Sequence, residues 1–374
     1  MRIGIDARFF GPDSKGLGRY TQKLIIYLEE IDHTNEYVIF LRRKNFNLYE
    51  PANKNFTKVI ADYRWYSFAE QISFPFLLYK YHCDVVHFPH FNVPILYFKK
   101  FIVTIHDLIL LRYPTRKATT HNKVFYWFKF ILYRIVIFNA VSRATQIIAV
   151  SNFTKKDICK QYSNVCHKIT VIYESAEIKT KNKTEVAHNL SKYGIIKPYI
   201  LYVGNAYPHK NLFALVDAFY LITKTKNDKL QLVLVGCDDY FYDKLQQYIK
   251  NKNITGIIIL YTITDELLQQ LYAKSEFFVF PSLYEGFGLP PLEAQLLSVP
   301  VLSSDHDCMV EILSDTGASY CDTTDANVFA QKMKELMVNK DLQKRLIESG
   351  NKNVKRYSWQ KMAEETYKIY TKNN

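Results

Sequence analysis

Residues 281–293 read Pro281-Ser282-Leu283-Tyr284-Glu285-Gly286-Phe287-Gly288-Leu289-Pro290-Pro291-Leu292-Glu293, which sets two carboxylates eight residues apart around a pair of glycines. The run before them, Phe277-Phe278-Val279-Phe280, is short and wholly apolar, as in a strand buried on both faces of a parallel sheet. Pro290 and Pro291 suit the first turn of a helix, where a missing N–H costs nothing, and Leu292 to Leu297 are good helix formers. The glycines therefore mark the passage from strand to helix. In a doubly wound sheet that passage lies at the carboxyl edge, where ligands bind and helix N-termini attract anions.

The same pattern extends in both directions. Tyr199 to Val203, Leu232 to Val235, Ile257 to Leu260 and Val299 to Ser303 are further short apolar runs at helical separation in the second half. In the first half, Ile3 to Ile5, Val38 to Leu41, Val85 to Phe88, Ile102 to Ile105 and Gln146 to Val150 repeat it, with a glycine-bearing loop from Gly11 to Gly18 and a helix over Tyr20 to Glu29. The polar stretch Lys179 to Asn189 reads as the connection between them. The expected class is α/β: two Rossmann-like domains, 1–180 and 190–356, facing across a cleft, with a terminal helix over 357–374 packing back on the first.

A chain of 374 residues, 48% hydrophobic and with 12 Gly and 12 Pro, is an ordered globular protein. Its six cysteines form no C-x-x-C pair, and Arg2, Asp6 and Arg8 stand where a secretory segment would be apolar. Reduced thiols, a cytoplasmic setting and no cysteine-bound metal are expected. The net charge of +13 is uneven: residues 1–180 hold 26 Lys and Arg against 14 Asp and Glu, the remainder 23 against 22. No acidic residue lies between Asp107 and Asp157. Such a half attracts an anionic membrane or a nucleic acid.

The apolar stretch Val124 to Val141 is interrupted by Lys129 and Arg134, which argues against a membrane span. As a helix it would align Lys123, Trp127, Phe130 and Arg134 on one stripe. That stripe is either an ordinary domain helix with snorkelling cations or, with Arg116, a peripheral membrane or acceptor contact.

Two glycine turns bear on chemistry. Gly16-Leu17-Gly18 is weak by itself, either turn geometry or a loop that lets a phosphate or sugar approach the backbone. Val203-Gly204-Asn205-Ala206-Tyr207-Pro208-His209-Lys210-Asn211 is more specific, since it sets a cation, Lys210, beside a helix start. Asp238-Asp239 follows a strand and reads as turn chemistry rather than a metal site.

Glu285-x7-Glu293 within Pro281 to Pro290 resembles the signature of the retaining glycosyltransferases of family 4, which have the GT-B fold. The resemblance runs nearly full length, through Ile3-Gly4-Ile5-Asp6-Ala7-Arg8, Gly16-Leu17-Gly18-Arg19-Tyr20, Thr104-Ile105-His106-Asp107-Leu108, Val150-Ser151-Asn152-Phe153, Pro208-His209-Lys210-Asn211 and Pro300-Val301-Leu302-Ser303. The opening segment most resembles the mannosyltransferase branch acting in bacterial O-antigen assembly. The resemblance implies a metal-independent hexosyltransferase with no cofactor, its donor a nucleotide-sugar such as GDP-mannose.

By the same resemblance Glu293 holds the ribose hydroxyls, Glu285 the sugar ring and Lys210 the diphosphate. The amides of Gly286, Phe287, Gly288 and Leu289 surround sugar and phosphate, and Gly16 and Gly18 lie in a loop closing on the phosphates. His106 sits near the donor sugar, and His106, Lys210 and Glu285 are the expected catalytic set. Many members carry Arg where this chain has Asn205, so the diphosphate would lean on Lys210. The acceptor would be a lipid-linked glycan, with the enzyme peripheral to the inner membrane face. A nucleotide-sugar epimerase, a non-catalytic nucleotide-sugar-binding module and a nucleic-acid-binding protein are the other readings, the last without a recognition motif.

Overall fold

The computed structural model describes residues 1–114, 123–177, 190–224 and 229–372, so the connection at 179–189 lies outside the described residues. The chain forms two compact units, Met1–Glu174 with Ser358–Asn374, and Ser175–Tyr357. The first runs β1 (Arg2–Asp6), α1 (Lys15–Ile31), β2 (Glu36–Leu41), β3 (Phe56–Ile60), α2 (Phe68–Lys80), β4 (Val85–Phe88), β5 (Phe101–Ile105), α3 (Ile109–Arg112), α4 (Lys123–Arg143), β6 (Gln146–Ala149), α5 (Asn152–Gln161) and β7 (Ile169–Val171). The second runs β8 (Tyr199–Val203), α6 (Leu212–Thr223), β9 (Gln231–Gly236), α7 (Tyr240–Asn251), β10 (Ile257–Tyr261), α8 (Asp265–Lys274), β11 (Phe277–Phe280), α9 (Leu289–Leu296), β12 (Val301–Ser304), α10 (Asp307–Leu313), β13 (Ser319–Cys321), α11 (Ala326–Val338) and α12 (Lys340–Asn353). The final helix, α13 (Trp359–Lys372), packs on α1 in the first unit.

Both sheets are parallel in every recorded pairing. Their orders are β3-β2-β1-β4-β5-β6-β7 and β10-β9-β8-β11-β12-β13. Each reverses direction once, between β1 and β4 and between β8 and β11, and such a reversal opens a crevice at the carboxyl ends of the two strands involved. Ile3 pairs with both Tyr37 and Val85, and Phe277 with Ile200.

Strand alternation divides the first core. Phe101, Val103 and Ile105 point to the side covered by Phe74 and Leu78 of α2 and by Tyr133 and Ile137 of α4. On the other side His87, Thr104, Tyr20 and Tyr370 form a buried polar chain: His87 Nδ1 lies 2.6 Å from the Tyr370 hydroxyl, His87 Nε2 2.8 Å from Thr104 Oγ1, and the Tyr20 hydroxyl 3.0 Å from that oxygen. Burial, with His106 nearby, pushes His87 down to about 3, so it stays neutral and anchors α13 by hydrogen bonding rather than charge.

Beside this chain Arg8 is fully buried between two carboxylates. Its Nε and Nη2 each donate to Asp6 at 2.8 Å, Nη2 also reaches Glu70 at 2.8 Å, and the guanidinium lies 4.2 Å from the Phe74 ring centre. Burial pushes the Glu70 carboxyl up in spite of Arg8.

Three expectations are corrected. The helix expected from Tyr20 begins at Lys15, so Gly16 and Gly18 are helical rather than in a loop. Phe130 turns inward and packs against the core, and the exposed stripe of α4 is Trp127, Ile131, Ile135 and Phe138. Cys159 and Cys166 are paired as a disulfide because the turn after α5 folds residue 166 back to within 5.3 Å, Cα to Cα, so reduced thiols do not hold for this pair. Strands β3, β7 and β13 are additional to the runs read from the sequence.

Replacing Arg8 by Ala leaves Asp6 and Glu70 buried without their cation, a change that costs about 3–5 kcal/mol in comparable sites. Urea unfolding followed by circular dichroism should show that loss. A change below about 1 kcal/mol would mean that the carboxylates gain protons or water instead.

Candidate functional site

The strand reversal between β8 and β11 puts two loops side by side, and each delivers one charged residue. After β8 the backbone turns at Gly204, where a Cβ would come within 2.6 Å of the Tyr202 hydroxyl. That hydroxyl donates to the Asn205 carbonyl at 2.7 Å, and the Tyr242 hydroxyl of α7 donates to the Gly204 carbonyl at 2.8 Å. Asn205 therefore contributes its backbone to a tyrosine-braced turn. Pro208 to Lys210 form a single helical turn that ends at Asn211, which is left-handed at φ 60° and whose side chain donates to the Thr323 carbonyl at 2.8 Å.

After β11, Ser282 and Glu285 are buried. The Leu283 amide donates to the His209 carbonyl at 2.7 Å, and the Ser304 hydroxyl donates to the Ser282 carbonyl at 2.6 Å, so the loop is tied to the β8 turn and to β12. Gly288 precedes α9 with φ 96°, and a Cβ there would meet the Met309 methyl at 2.7 Å; the turn requires glycine for both reasons. Phe287 is buried with its ring 5.6 Å from Tyr357 in an edge-on contact, so this residue presents backbone rather than side chain. With Pro290 and Pro291 opening α9, the donors at its N-terminus reduce to the amides of Gly288 and Leu289.

These loops bring Lys210 and Glu285 together. The ammonium is bonded to Glu285 Oε1, with side-chain exposures of only 14% and 9%, and stands 5.4 Å from the Phe280 ring centre. Next to it His209 is buried and pushed down to about 4, first by burial and then by Lys210. It is neutral at pH 7. Glu293 lies on α9, half-buried, and accepts from the Tyr272 hydroxyl at 3.4 Å. The result is a neutralised cation and carboxylate with neutral imidazole and backbone amides around them, a setting suited to a polar ligand that carries phosphate.

In the first unit His106 follows β5. Its Nδ1 lies 2.7 Å from Glu174 Oε1 and its Nε2 2.9 Å from the Pro89 carbonyl. Both partners only accept, so both ring nitrogens carry protons. Burial opposes that charge, and the hydrogen bond and negative charge of Glu174 outweigh it, leaving the pKa raised. Asp107 accepts from the Ile109 amide at 2.9 Å and shapes the local turn. Gly18 serves close packing: a Cβ there would lie 2.0 Å from the Gly11 carbonyl oxygen.

Of the residues expected to contact acceptor or membrane, Trp127 and Arg134 are exposed on α4. Arg116 lies outside the described residues, as does the side chain of Lys123. Sequence reading missed Glu174 as the partner of His106 and the tyrosines 202, 242 and 272, because nothing in their spacing announces contacts across different strands. Asp239, expected in a turn, caps α7 by accepting from the Phe241 and Tyr242 amides. Among the described residues no group of three or more His, Cys, Asp or Glu could hold a metal ion.

Two parallel α/β units of this topology define the GT-B glycosyltransferases. Residues 14–177 match the family model described as Glycosyltransferase Family 4, and residues 190–353 the one described as Glycosyl transferases group 1. The chain is a glycosyltransferase of the GT-B fold, related to the families that these two models describe. It is 25% identical to the O-antigen chain mannosyltransferase RfbU of Salmonella typhimurium over 95% of both chains. It is 27% identical to O-antigen chain mannosyltransferase B of Escherichia coli over 76% of this chain and 74% of that one. Sucrose-phosphate synthase from Thermosynechococcus elongatus shares the fold with a TM-score of 0.77 at 18% identity, covering 100% of this chain and 98% of its own.

Because Glu174 holds His106 protonated, Glu174→Gln should lower the His106 pKa, as read from imidazole proton shifts. The folded pKa is the higher one, so the stabilisation is present below the unfolded value of about 6.5 and fades as pH rises through the folded value. The stability gap between wild type and Glu174→Gln should accordingly be larger at pH 6 than at pH 9. An unchanged His106 titration would remove Glu174 as the cause.

Proposed function

We propose that the enzyme transfers mannose from GDP-mannose, with retention of configuration, to a lipid-linked glycan or polysaccharide acceptor of the O-antigen type, working at the cytoplasmic face of a membrane. The Lys210–Glu285 pair at the β8/β11 reversal carries the reading. A diphosphate entering beside Gly286 to Leu289 would compete with Glu285 for the Lys210 ammonium, and the released carboxylate could accept from hydroxyls of the sugar. Glu293, on α9, would hold the ribose. The names of the two O-antigen mannosyltransferases support the choice of sugar and acceptor.

The chemistry asked of these residues is modest. The bond from the anomeric carbon to the diphosphate oxygen breaks, the acceptor hydroxyl oxygen bonds to the same face of that carbon, and its proton passes to the departing phosphate. Preorganised donors aimed at the charge that develops on the leaving group are the main source of rate. Lys210 and the amides at the start of α9 fill that role, and no carboxylate nucleophile is required. The cationic first unit, with Arg116, Lys123, Trp127 and Arg134, would meet the acceptor and the anionic lipid around it.

Thermal shift with GDP-, UDP-, ADP- and dTDP-sugars tests the donor, since a ligand that binds the native state raises its stability with concentration. GDP-mannose should give the largest shift, and no shift with any of the four would sink the donor assignment. In transfer assays Lys210→Ala should lower kcat by about 10²–10³-fold, the range seen when one preorganised donor is removed. A loss smaller than about threefold would take Lys210 out of leaving-group stabilisation.

A further inference from the structure

We infer that one face of the first unit, built from α2, residues 94–98 and α4, is a docking surface for an anionic lipid layer. The inference rests on the membrane reading above and deepens it, because part of the surface comes from α2 and residues 94–98, outside α4.

The topology places the two helices side by side. The crossovers from β3 through α2 to β4 and from β5 through α4 to β6 run in the same direction across the sheet, so right-handed connections set both helices on one face. Their inner sides share a single core cluster through Phe74, Leu78, Tyr133 and Ile137. Their outer sides are apolar as well. On α2 Phe68, Ile72 and Phe76 recur every fourth residue and are 80%, 50% and 70% exposed; on α4 the exposed stripe is Trp127, Ile131, Ile135 and Phe138.

Residues 94–98 fasten to both helices. Gln71 Oε1 of α2 accepts from the Ile95 amide at 2.9 Å, and the Tyr79 hydroxyl accepts from the Phe98 amide at 2.7 Å and donates to the Leu96 carbonyl at 3.1 Å. From the end of α4, Arg143 donates to the Ile95 carbonyl at 2.9 Å and stands 4.8 Å from the Phe98 ring centre. Leu96 and Phe98 are themselves exposed, Phe98 at 71%. Large apolar side chains exposed in this number on one side of a sheet mark an interaction surface more often than ordinary solvent-facing structure.

Charge selects the occupant. Residues 68–156, which include both helices and the segment that joins them, contain twelve Lys and Arg against three acids, Glu70, Asp84 and Asp107, and Glu70 is buried against Arg8. A second copy packed about a two-fold axis would set this positive surface against itself. Anionic headgroups would neutralise it while the phenylalanine and isoleucine side chains enter the boundary between headgroups and acyl chains, as in interfacial helices.

The test is sedimentation of the full chain with phosphatidylcholine vesicles, with and without phosphatidylglycerol, comparing wild type with the combined variant Phe68→Ser, Phe76→Ser, Phe98→Ser. Wild type should bind the anionic vesicles, and the variant's partitioning should fall at least about tenfold with an unchanged Tm and an unchanged GDP-mannose shift. Wild type that ignores both vesicles would overturn the membrane reading and this inference together. Equal binding by wild type and variant would overturn the inference alone and leave the contact to α4. A concentration-dependent dimer in ultracentrifugation that the variant abolishes would assign the face to a second copy.

Discussion

Lys210 and Glu285 are 75 residues apart in sequence and share one bond in space. An ammonium and a carboxylate each lose several kcal/mol of hydration when removed from water, so neither would be stable at such low exposure without the other. Much of the second unit can be understood as the means of bringing them together. The strand order reverses between β8 and β11, which makes the two following loops neighbours. Tyr202 and Tyr242 brace the first loop, Ser304 and the His209 carbonyl hold the second, and Gly288 bends it into α9. Within the pair the two charges cancel.

The first unit handles its polar groups differently. Arg8 is locked by two carboxylates and an aromatic face, and His87 is kept neutral in a chain of hydroxyls. Close to the carboxyl end of β5, His106 is drawn toward its protonated form, because Glu174 and the Pro89 carbonyl both accept from it. Its neighbour Asp107, next in sequence, spends its carboxylate on a turn. Adjacent residues thus take on unlike work because their side chains leave the backbone toward different partners.

Wherever apolar runs were uninterrupted the strands were legible in the sequence, as at Phe277 to Phe280 and Ile102 to Ile105. The strands that escaped notice are poorer in signal: β3 carries Thr57 and Lys58, β7 and β13 have three residues each, and their pairing partners rather than their composition make them strands. The glycine turn and its two glutamates could be read locally, since turn chemistry and helix start lie within thirteen residues. The Glu174–His106 contact could not, for it depends on β7 and β5 ending at the same edge of the sheet, with β6 between them. The start of α1 was misread because two glycines suggested a loop, whereas Gly18 is there so that the helix can touch the carbonyls of residues 9 and 11.

The anchoring of α13 has a consequence for how the molecule is made. Tyr370 completes the buried chain through His87 and Thr104, so the first sheet lacks part of one covering layer until that helix arrives. On the ribosome the whole of residues 175–357 emerges in between. The nascent first unit must therefore wait, with the surface of α1 that receives α13 still open, while the second unit is synthesised and can fold. The order of completion is the reverse of the order of synthesis.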